Sequence, residues 1–249
     1  MSVEFRVVIP ARYDSSRLPG KPLLVFKNKT IIEHVYINAC ESKAKSVLIA
    51  TDDERIADVV TSFGAEVCIT GQQHMSGTDR LAEAVHIQGW DENDIIVNVQ
   101  GDEPQMPAEN IKQVAEILSN TPSASLATLC YRLSSIEEYQ DSNIVKVVMN
   151  NDKYALYFSR SPIPYLKEFN PKVLQSSQVF RHVGIYSYHV RYLKEFVTRE
   201  QTSLEKIERL EQLRALEFGD HIIMEECHKM PGIGVDTIQD YHRLKTTNV

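Results

Sequence analysis

Short apolar segments, each followed by a polar turn and then a helical pattern, constrain the fold of this chain more than any other feature. Phe5–Ile9, Val47–Ala50 and Ile95–Val99 are such segments, and they contain almost no polar residue. Strands that alternate with helices at this spacing indicate βαβ units and a parallel sheet. Strands that are apolar on both sides indicate a sheet covered on both faces. The pattern therefore predicts an α/β fold with a mainly parallel, Rossmann-like central sheet.

Helices and further strands are predicted between and after these segments. One helix starts near Thr30, a second starts after Thr51 with Asp52 as the cap of its first turn, and a third covers Leu81–Ile87. The other predicted strands, of which the last two are expected to pair as a small antiparallel subdomain, are Val67–Ile69, Ile144–Met149, Tyr154–Phe158 and Val183–Tyr188.

The second half of the chain also contains the clearest helical pattern. Leucine or isoleucine recurs every three residues from Leu204 to Leu216, Thr202 and Glu205 fit a capping box, and Gly219 stands where a helix stops. These features predict one continuous helix over Thr202–Phe218. Residues 167–178 are expected to form a loop.

Composition limits the classes of partner. The chain has 249 residues, 43% of them hydrophobic, and a formal net charge of −7. This size suits one domain, and an acidic chain binds nucleic acid or anionic membranes poorly, so we expect neither partner. Four cysteines lie singly, which is typical of reduced thiols in the cytoplasm, and residues 1–10 resemble neither a secretory signal nor a membrane span.

The loop after the first strand is the strongest candidate for a nucleotide site. Ligands of such sheets gather at the carboxyl ends of the strands, and here Arg12, Arg17 and Lys21 lie within ten residues. Fixed cations and backbone amides are what a triphosphate needs. The loop is not a Walker A motif, because Ser15 replaces a glycine and Pro22 replaces the final Ser or Thr.

Two aspartates could hold a metal ion, although each has a simpler interpretation. Asp102 follows Gln100 and Gly101 at the end of a buried strand, and Asp236 follows a glycine-rich segment. Asp102 could be only a turn residue, and Asp236 could cap the last helix. Mg²⁺ needs only one or two protein carboxylates, because phosphate oxygens and water complete its shell.

Several blocks of this sequence together resemble the CMP-Kdo synthetase family of nucleotide-sugar pyrophosphorylases. The loop from Pro10 to Leu23 is similar to the signature loop of that family, and recognisable blocks extend from residue 7 to residue 240. They include SGTDR (76–80), YALYFSR (154–160), RHVGIY (181–186) and LEQLRAL (210–216).

The resemblance implies an enzyme that joins CMP from CTP to the acid sugar Kdo, for lipopolysaccharide synthesis, with Mg²⁺ as cofactor and as a homodimer. The nucleotide part covers about residues 1–130, and the sugar-binding and dimerisation part about 131–230. By resemblance, Asp102 and Asp236 bind Mg²⁺ and act in catalysis with Arg12 and Lys21. The implied CTP contacts are Arg12, Ser15, Arg17, Lys21, Ser76, Gly77, Thr78, Arg80 and Gln100. The implied Kdo contacts are Gln100, Arg160, His182, Tyr186, Glu211 and Gln212.

Four of the implied sugar contacts also have a structural interpretation: His182 as a satisfied histidine, Tyr186 as a core residue, and Glu211 and Gln212 as solvated helix residues. Other activities stay open as well: a cytidylyltransferase for 8-amino-Kdo or a sialic acid, a metal-dependent glycosyltransferase of similar fold, or a nucleotide sensor without catalysis. The cation cluster favours a free triphosphate over a nucleotide sugar, and two candidate metal aspartates argue against a sensor.

Overall fold

The computed structural model describes residues 3–15, 17–74, 76–167 and 178–246. Its strands are β1 (Phe5–Ala11), β2 (Val25–Phe26), β3 (Lys29–Thr30), β4 (Ser46–Thr51), β5 (Glu66–Ile69), β6 (Ile95–Asn98), β7 (Leu126–Arg132), β8 (Lys146–Met149), β9 (Ala155–Ser159), β10 (Phe180–His189) and β11 (Ile222–Glu226). Its helices are α1 (Ile31–Glu41), α2 (Glu54–Ser62), α3 (Gly77–Gln88), α4 (Ala108–Asn120), α5 (Ile136–Gln140), α6 (Val190–Phe196), α7 (Ser203–Glu208), α8 (Gln212–Glu217) and α9 (Ile238–Thr246).

The central sheet has the strand order β11-β7-β10-β6-β1-β4-β5. All of these strands run in one direction except β10, which is antiparallel to both of its neighbours, β6 and β7. The chain builds β1, β4 and β5 outward and then crosses back to place β6 on the other side of β1. The carboxyl ends of β1 and β6 therefore form a topological switch point, where open α/β sheets bind ligands.

Both faces of the sheet are covered, as the continuous apolar strands predicted. Val7 and Ile9 pack into one core with Val35 of α1 and Val114 of α4. Val8 packs into the opposite core with residues of α3, α6 and α8. Alternate residues of a strand point to opposite faces, so a buried sheet between two helical layers requires apolar residues at every position of β1.

The small antiparallel part is present, but one predicted strand pairing is wrong. β9 pairs with β8, and β8 pairs with β10, so β8 separates the two strands that were expected to pair directly. The predicted loop at 167–178 lies almost entirely outside the described residues.

The predicted continuous helix over Thr202–Phe218 is also wrong. Arg209 has φ +55° and separates α7 from α8. A residue every three positions rotates by about 60° per step relative to a 3.6-residue helix, so the five apolar side chains could not share one buried face. The break lets Leu210 and Leu213 enter the core and leaves Ile207 77% exposed. The predicted helix start is confirmed, since the Glu205 carboxylate accepts a hydrogen bond from Thr202 N–H at 3.3 Å.

Candidate active site

The loop after β1 is closed on itself by a backbone hydrogen bond. Gly20 N–H donates to Tyr13 O at 2.8 Å. Gly20 has φ +69°, and a Cβ there would lie 3.0 Å from the Tyr13 ring, so glycine suits this turn. The Arg55 guanidinium of α2 stacks 3.3 Å from the centre of the Tyr13 ring and supports the loop from behind.

Gly101 brings the ends of β1 and β6 into close contact. A Cβ on Gly101 would lie 2.7 Å from the backbone oxygen of Pro10, a distance at which the backbone must move. The residue that follows, Asp102, consequently sits beside the loop after β1. The glycine is thus a packing requirement of the switch point as well as a turn residue.

Asp102 and Asp236, expected from the sequence to share a cation, lie on the same ammonium group. Lys21 Nζ pairs with the Asp102 carboxylate and lies 3.3 Å from Asp236 Oδ1, and Arg17 pairs with the other Asp236 oxygen. Val235 N–H donates to Asp102 O at 2.8 Å, which fastens the glycine-rich segment to the end of β6.

Asp236 is not the cap of the last helix. Thr237 fills that role, because its N–H donates to Asp240 Oδ2 at 2.9 Å while Asp240 N–H donates to Thr237 Oγ1 at 3.2 Å. Asp236 can therefore face the loop cations.

The cap of α2 also differs from the prediction, since Asp53 accepts from Arg55 N–H at 3.0 Å while Asp52 pairs with Arg80.

The two aspartates fit a magnesium site of the kind completed by a substrate. One oxygen of each carboxylate contacts the same ammonium group, so a cation already stands at the shared position. Within the described part of the chain, no group of three or more His, Cys, Asp and Glu side chains could hold a metal. Mg²⁺ commonly takes one or two carboxylates and completes its shell with phosphate oxygens and water.

A cavity of about 150 Å³ opens beside these carboxylates. Arg12 is exposed at this cavity and forms no ion pair with any described residue. Ser15 is buried and Arg17 is drawn to Asp236, and neither side chain lines the cavity. The lining residues are Pro10, Ala11, Arg12, Lys21, Pro22, His74, Ser76, Gly77, Arg80, Gln100, Gly101 and Asp102.

Helix α3 supplies the wall opposite the loop. Its first turn is fixed by a capping box, in which Ser76 Oγ accepts from Asp79 N–H and Asp79 Oδ2 accepts from Ser76 N–H, both at 3.1 Å. Arg80 is buried, and it donates to Asp52 at 2.9 Å and to Thr70 at 2.5 Å. A buried guanidinium held in this way presents a fixed charge to the cavity.

A second cavity, of about 500 Å³, adjoins the first and shares Ser76, Gly77 and Gln100 with it. Glu211 lines this second cavity, where Thr78 Oγ1 donates to its Oε2. Burial raises the pKa of Glu211, since little water reaches the carboxyl group. The shared residues make the two cavities neighbouring compartments of one cleft.

Buried polar atoms without hydrogen-bond partners occur in and near the second cavity. Among the described residues, four side-chain atoms are buried and form no hydrogen bond: Tyr186 Oη, Thr202 Oγ1, Glu211 Oε1 and Gln212 Nε2. An unpaired buried polar atom costs about 1–3 kcal/mol. Three of the four belong to residues predicted to contact a sugar, and one of these, Glu211, lines the second cavity.

His182 is held as a neutral ring beside Tyr186. The two rings lie 5.4 Å apart, and Phe158 packs edge-on against His182 at 5.1 Å. Burial, followed by the charge of Arg181, lowers the pKa of His182 to about 3. Thr128 Oγ1 lies 3.0 Å from His182 Nε2 and donates its single proton to a carbonyl of β10, so Nε2 is the donor and Nδ1 remains an acceptor.

Arg160 lies away from both cavities. Its Nε donates to Glu208 O at 2.9 Å and its Nη1 to Ser142 O at 3.1 Å. The cations that line the second cavity are instead Lys206 and Arg209, both exposed and without an ion pair among the described residues. The sequence analysis missed Arg209 because it predicted a continuous helix here. Arg209 itself adopts the left-handed conformation that breaks the helix, and no glycine marks the break.

Glu103, which follows Asp102, packs against the glycine-rich segment. A Cβ on Gly234 would lie 2.8 Å from Glu103 Oε1. Burial, followed by the charge of Asp102, raises the pKa of Glu103 to about 8.

Comparisons with known proteins agree with this geometry. Residues 6–222 match the family model described as cytidylyltransferase. A 3-deoxy-manno-octulosonate cytidylyltransferase from Alteromonas mediterranea is 47% identical over 248 residues, which cover 98% of this chain and 100% of that protein. The solved structure of CMP:2-keto-3-deoxy-manno-octonic acid synthetase complexed with CTP superposes with a TM-score of 0.89 at 39% identity, covering 98% of this chain and 97% of the other.

A more distant structure shares the fold alone. The cytidylyltransferase from Leptospira borgpetersenii superposes with a TM-score of 0.64 at 17% identity, covering 97% of this chain and 85% of the other. None of the helices among the described residues has the length and apolarity needed to cross a bilayer. With a family model over most of its length and a full-length relative at 47% identity, this chain belongs to the cytidylyltransferase family.

Proposed function

We propose that this protein transfers the cytidylyl group of CTP to the anomeric 2-hydroxyl of 3-deoxy-manno-octulosonate (Kdo) and releases pyrophosphate, with Mg²⁺ as cofactor. One observation carries the proposal: a cavity lined by Glu211, whose Oε1 is buried without a hydrogen bond, directly adjoins the cavity lined by the loop cations Arg12 and Lys21. The names of the relatives at 47% and 39% identity support the same pair of substrates.

The first cavity suits the phosphate chain of CTP. Arg12 and Lys21 can neutralise the β- and γ-phosphates, and Ser76, Gly77, Arg80 and Gln100 form the opposite wall. We place Ser15, Arg17 and Thr78 around the same nucleotide, although Ser15 and Arg17 need the loop to rearrange before they reach it. Asp102 and Asp236 would hold Mg²⁺, which would supply positive charge to the phosphates and lower the pKa of the attacking hydroxyl.

The second cavity suits the acid sugar. Glu211 and Gln100 line this cavity, and Glu211 provides an unpaired oxygen. Gln212, Tyr186 and His182 do not line it, and we propose that they reach the sugar once it is bound, because buried polar atoms of Gln212 and Tyr186 lack a hydrogen bond. Lys206 and Arg209 supply positive charge for the sugar carboxylate. Arg160 can bind the sugar carboxylate only if its hydrogen bonds to the carbonyl groups of Glu208 and Ser142 break.

The reaction is then a direct displacement at phosphorus. The sugar hydroxyl oxygen forms a bond to the α-phosphorus and loses its proton to solvent. The bond from that phosphorus to the bridging oxygen breaks, and pyrophosphate leaves with the electron pair. Positioning of the hydroxyl and neutralisation of phosphate charge provide most of the acceleration in such a reaction.

We also propose a cytoplasmic homodimer that serves lipopolysaccharide synthesis. Leu156, Tyr165 and Ile207 are exposed by 59%, 86% and 77%, and such apolar side chains favour contact with a second subunit. The four cysteines are all free, as is typical of proteins in a reducing compartment.

Pyrophosphate release tests the proposed reaction. The purified protein is supplied with CTP, Mg²⁺ and a panel of sugars, and we expect release with Kdo. Release only with a sialic acid or with 8-amino-Kdo would assign a sister activity, whereas transfer from a nucleotide sugar would assign a glycosyltransferase. Asp102→Asn should abolish release while leaving the circular dichroism spectrum unchanged, and near-normal turnover would remove the metal role.

A pair of glutamine variants tests the sugar site. Gln212→Leu should raise the KM for Kdo about five- to thirtyfold and leave the KM for CTP within about twofold, because one buried hydrogen bond is worth about 1–2 kcal/mol. Gln140→Leu, at the exposed end of α5, is the matched control and should change neither constant. An equal effect of Gln212→Leu on both constants would contradict the assignment.

A further inference from the structure

The acidic pair at the switch point already has counter-ions from its own chain. Lys21 bridges Asp102 and Asp236, and Arg17 pairs with the second oxygen of Asp236. The Lys21 side chain is only 12% exposed, so water screens this contact weakly. Two negative and two positive charges within one cluster leave little net field to attract a further cation.

The same oxygens that would bind a divalent cation are therefore engaged. Lys21 touches both carboxylates at once, so the position between them belongs to an ammonium group. A divalent cation entering this site would have to displace Lys21 toward a neighbouring anion, and like charges this close repel strongly. Among the described residues that line the adjoining cavity, Asp102 is the one carboxylate available as that anion.

A nucleotide changes this balance, because its phosphates are anions of higher charge. Lys21 and Asp102 line the same cavity, so phosphate oxygens that enter it come within reach of the ammonium group. Arg17 is 61% exposed, and its long side chain can leave Asp236 at little cost in packing. Once both cations turn to phosphate, the three carboxylate oxygens that they hold are released together.

We propose that Lys21, assisted by Arg17, is an internal counter-ion that keeps the Asp102–Asp236 pair closed to divalent cations until a nucleoside triphosphate draws both cations away. The proposal rests on the proposed function only in taking these aspartates as the metal ligands. It assigns Lys21 a positioning role before catalysis and makes cation binding depend on nucleotide binding.

Titration of the nucleotide-free protein with Mn²⁺, followed by electron paramagnetic resonance, tests the proposal. Lys21→Met removes the ammonium group at similar length and should tighten Mn²⁺ binding at least tenfold. Lys45→Met is the control for charge, because Lys45 pairs with Glu4 and its backbone bonds to Phe5 at the opposite end of β1. Its Mn²⁺ affinity should stay within twofold of wild type. Equal or weaker binding by Lys21→Met would overturn the proposal.

Two further measurements establish whether the Mn²⁺ ion binds between these aspartates and whether the nucleotide releases them. With a CTP analogue that carries a methylene between the α- and β-phosphorus, the wild-type protein should gain Mn²⁺ affinity much more than Lys21→Met. In Lys21→Met/Asp236→Asn the gain in the nucleotide-free protein should disappear, and a surviving gain would show that Mn²⁺ binds elsewhere and refute the proposal.

Thermal melting gives a second measure of cation binding, and a second variant covers the case in which Lys21→Met does not fold. Mg²⁺ should raise the Tm of nucleotide-free Lys21→Met and barely change that of wild type, because ligands stabilise the state that binds them. Should Lys21→Met fail to fold, Arg17→Met removes an exposed cation and should still tighten Mn²⁺ binding about threefold, and no change would contradict the proposal. None of these measurements needs Kdo or turnover, so failure of the proposed function would appear separately, as absence of pyrophosphate release by the wild-type protein.

Discussion

Replacing the buried Lys146 by methionine is expected to destabilise the protein strongly. Lys146 has no exposed surface, and its ammonium group donates to three backbone oxygens, those of Asp141 at 2.8 Å, Ile144 at 2.6 Å and Arg160 at 2.6 Å. These bonds fasten the loop before β8 to the end of β9. Methionine keeps the length and volume of the side chain, so the change isolates the lost hydrogen bonds from packing.

The size of the effect follows from these three contacts. Hydrogen bonds from a charged donor are worth about 1.5–3 kcal/mol each, so their gross loss is about 4–9 kcal/mol. Removing the buried charge returns several kcal/mol of its desolvation cost, in line with the lowered pKa that burial gives Lys146. The net loss is about 3 kcal/mol, which corresponds to a fall in Tm of about 6–12 °C for a chain of this size.

Urea denaturation and thermal melting of the two purified proteins measure this loss. Lys153→Met is the matched control, since Lys153 is an exposed lysine at the other end of the same hairpin that pairs with Glu225 at 2.6 Å, and we expect it to cost below about 1 kcal/mol. A loss for Lys146→Met no larger than that of the control would refute the argument that three buried carbonyl groups depend on this ammonium.

Three further predictions concern the cleft. Gly101→Ala should lower the stability by about 2 kcal/mol and reduce turnover, because its Cβ would collide with Pro10 O, and a Tm within about 1 °C of wild type would contradict the close approach. The pKa of His182 is about 3 when folded against about 6.5 when unfolded, so its contribution to stability is present above pH 6.5 and is lost as the pH falls toward 3. Between about pH 6.5 and 5 the free energy of unfolding of the wild type should fall by up to about 2 kcal/mol more than that of His182→Gln. An equal fall in the two proteins would show that the ring is not held neutral. Arg209→Met should raise the KM for Kdo about tenfold with no change in the KM for CTP. If only Arg160→Met raises the KM for Kdo, Arg160 and not Arg209 binds the sugar carboxylate.

Local patterns predicted much of the fold correctly, and they failed where distant contacts decide. Apolar runs identify β1, β4 and β6 because burial on both faces imposes apolar residues at every position. The helix break at Arg209 escaped prediction, since a non-glycine residue with positive φ is stabilised by the packing of Leu210 and Leu213 rather than by its own preference. The pairing of β9 with β8 was missed because aromatic residues shared by β9 and β10 suggested that those two strands pair, whereas the order of strands in a sheet is decided by contacts outside either segment.

The candidate site divides in the same way. The cationic loop and the carboxylate after β6 are visible in the sequence, because each lies at the end of a strand and ligands gather there. No local signal marks Lys206 and Arg209 as lining the sugar cavity, or shows that Arg160 is occupied by the carbonyls of Ser142 and Glu208. Those outcomes depend on how helices separated along the chain pack against the sheet.

The sequence by itself determined the covered parallel sheet, the cluster of cations after its first strand and the supply of two separate aspartates. Only the tertiary structure decided that these groups meet, with Lys21 reaching one aspartate 81 positions away and the other 215 positions away. Short-range propensities act over a few residues. The crossover that places β6 beside β1 instead brings the carboxyl ends of these two strands together, through burial of the whole sheet. The sequence therefore shows the chemistry of each side chain, whereas the bridge that Lys21 forms between Asp102 and Asp236 exists only in the folded protein.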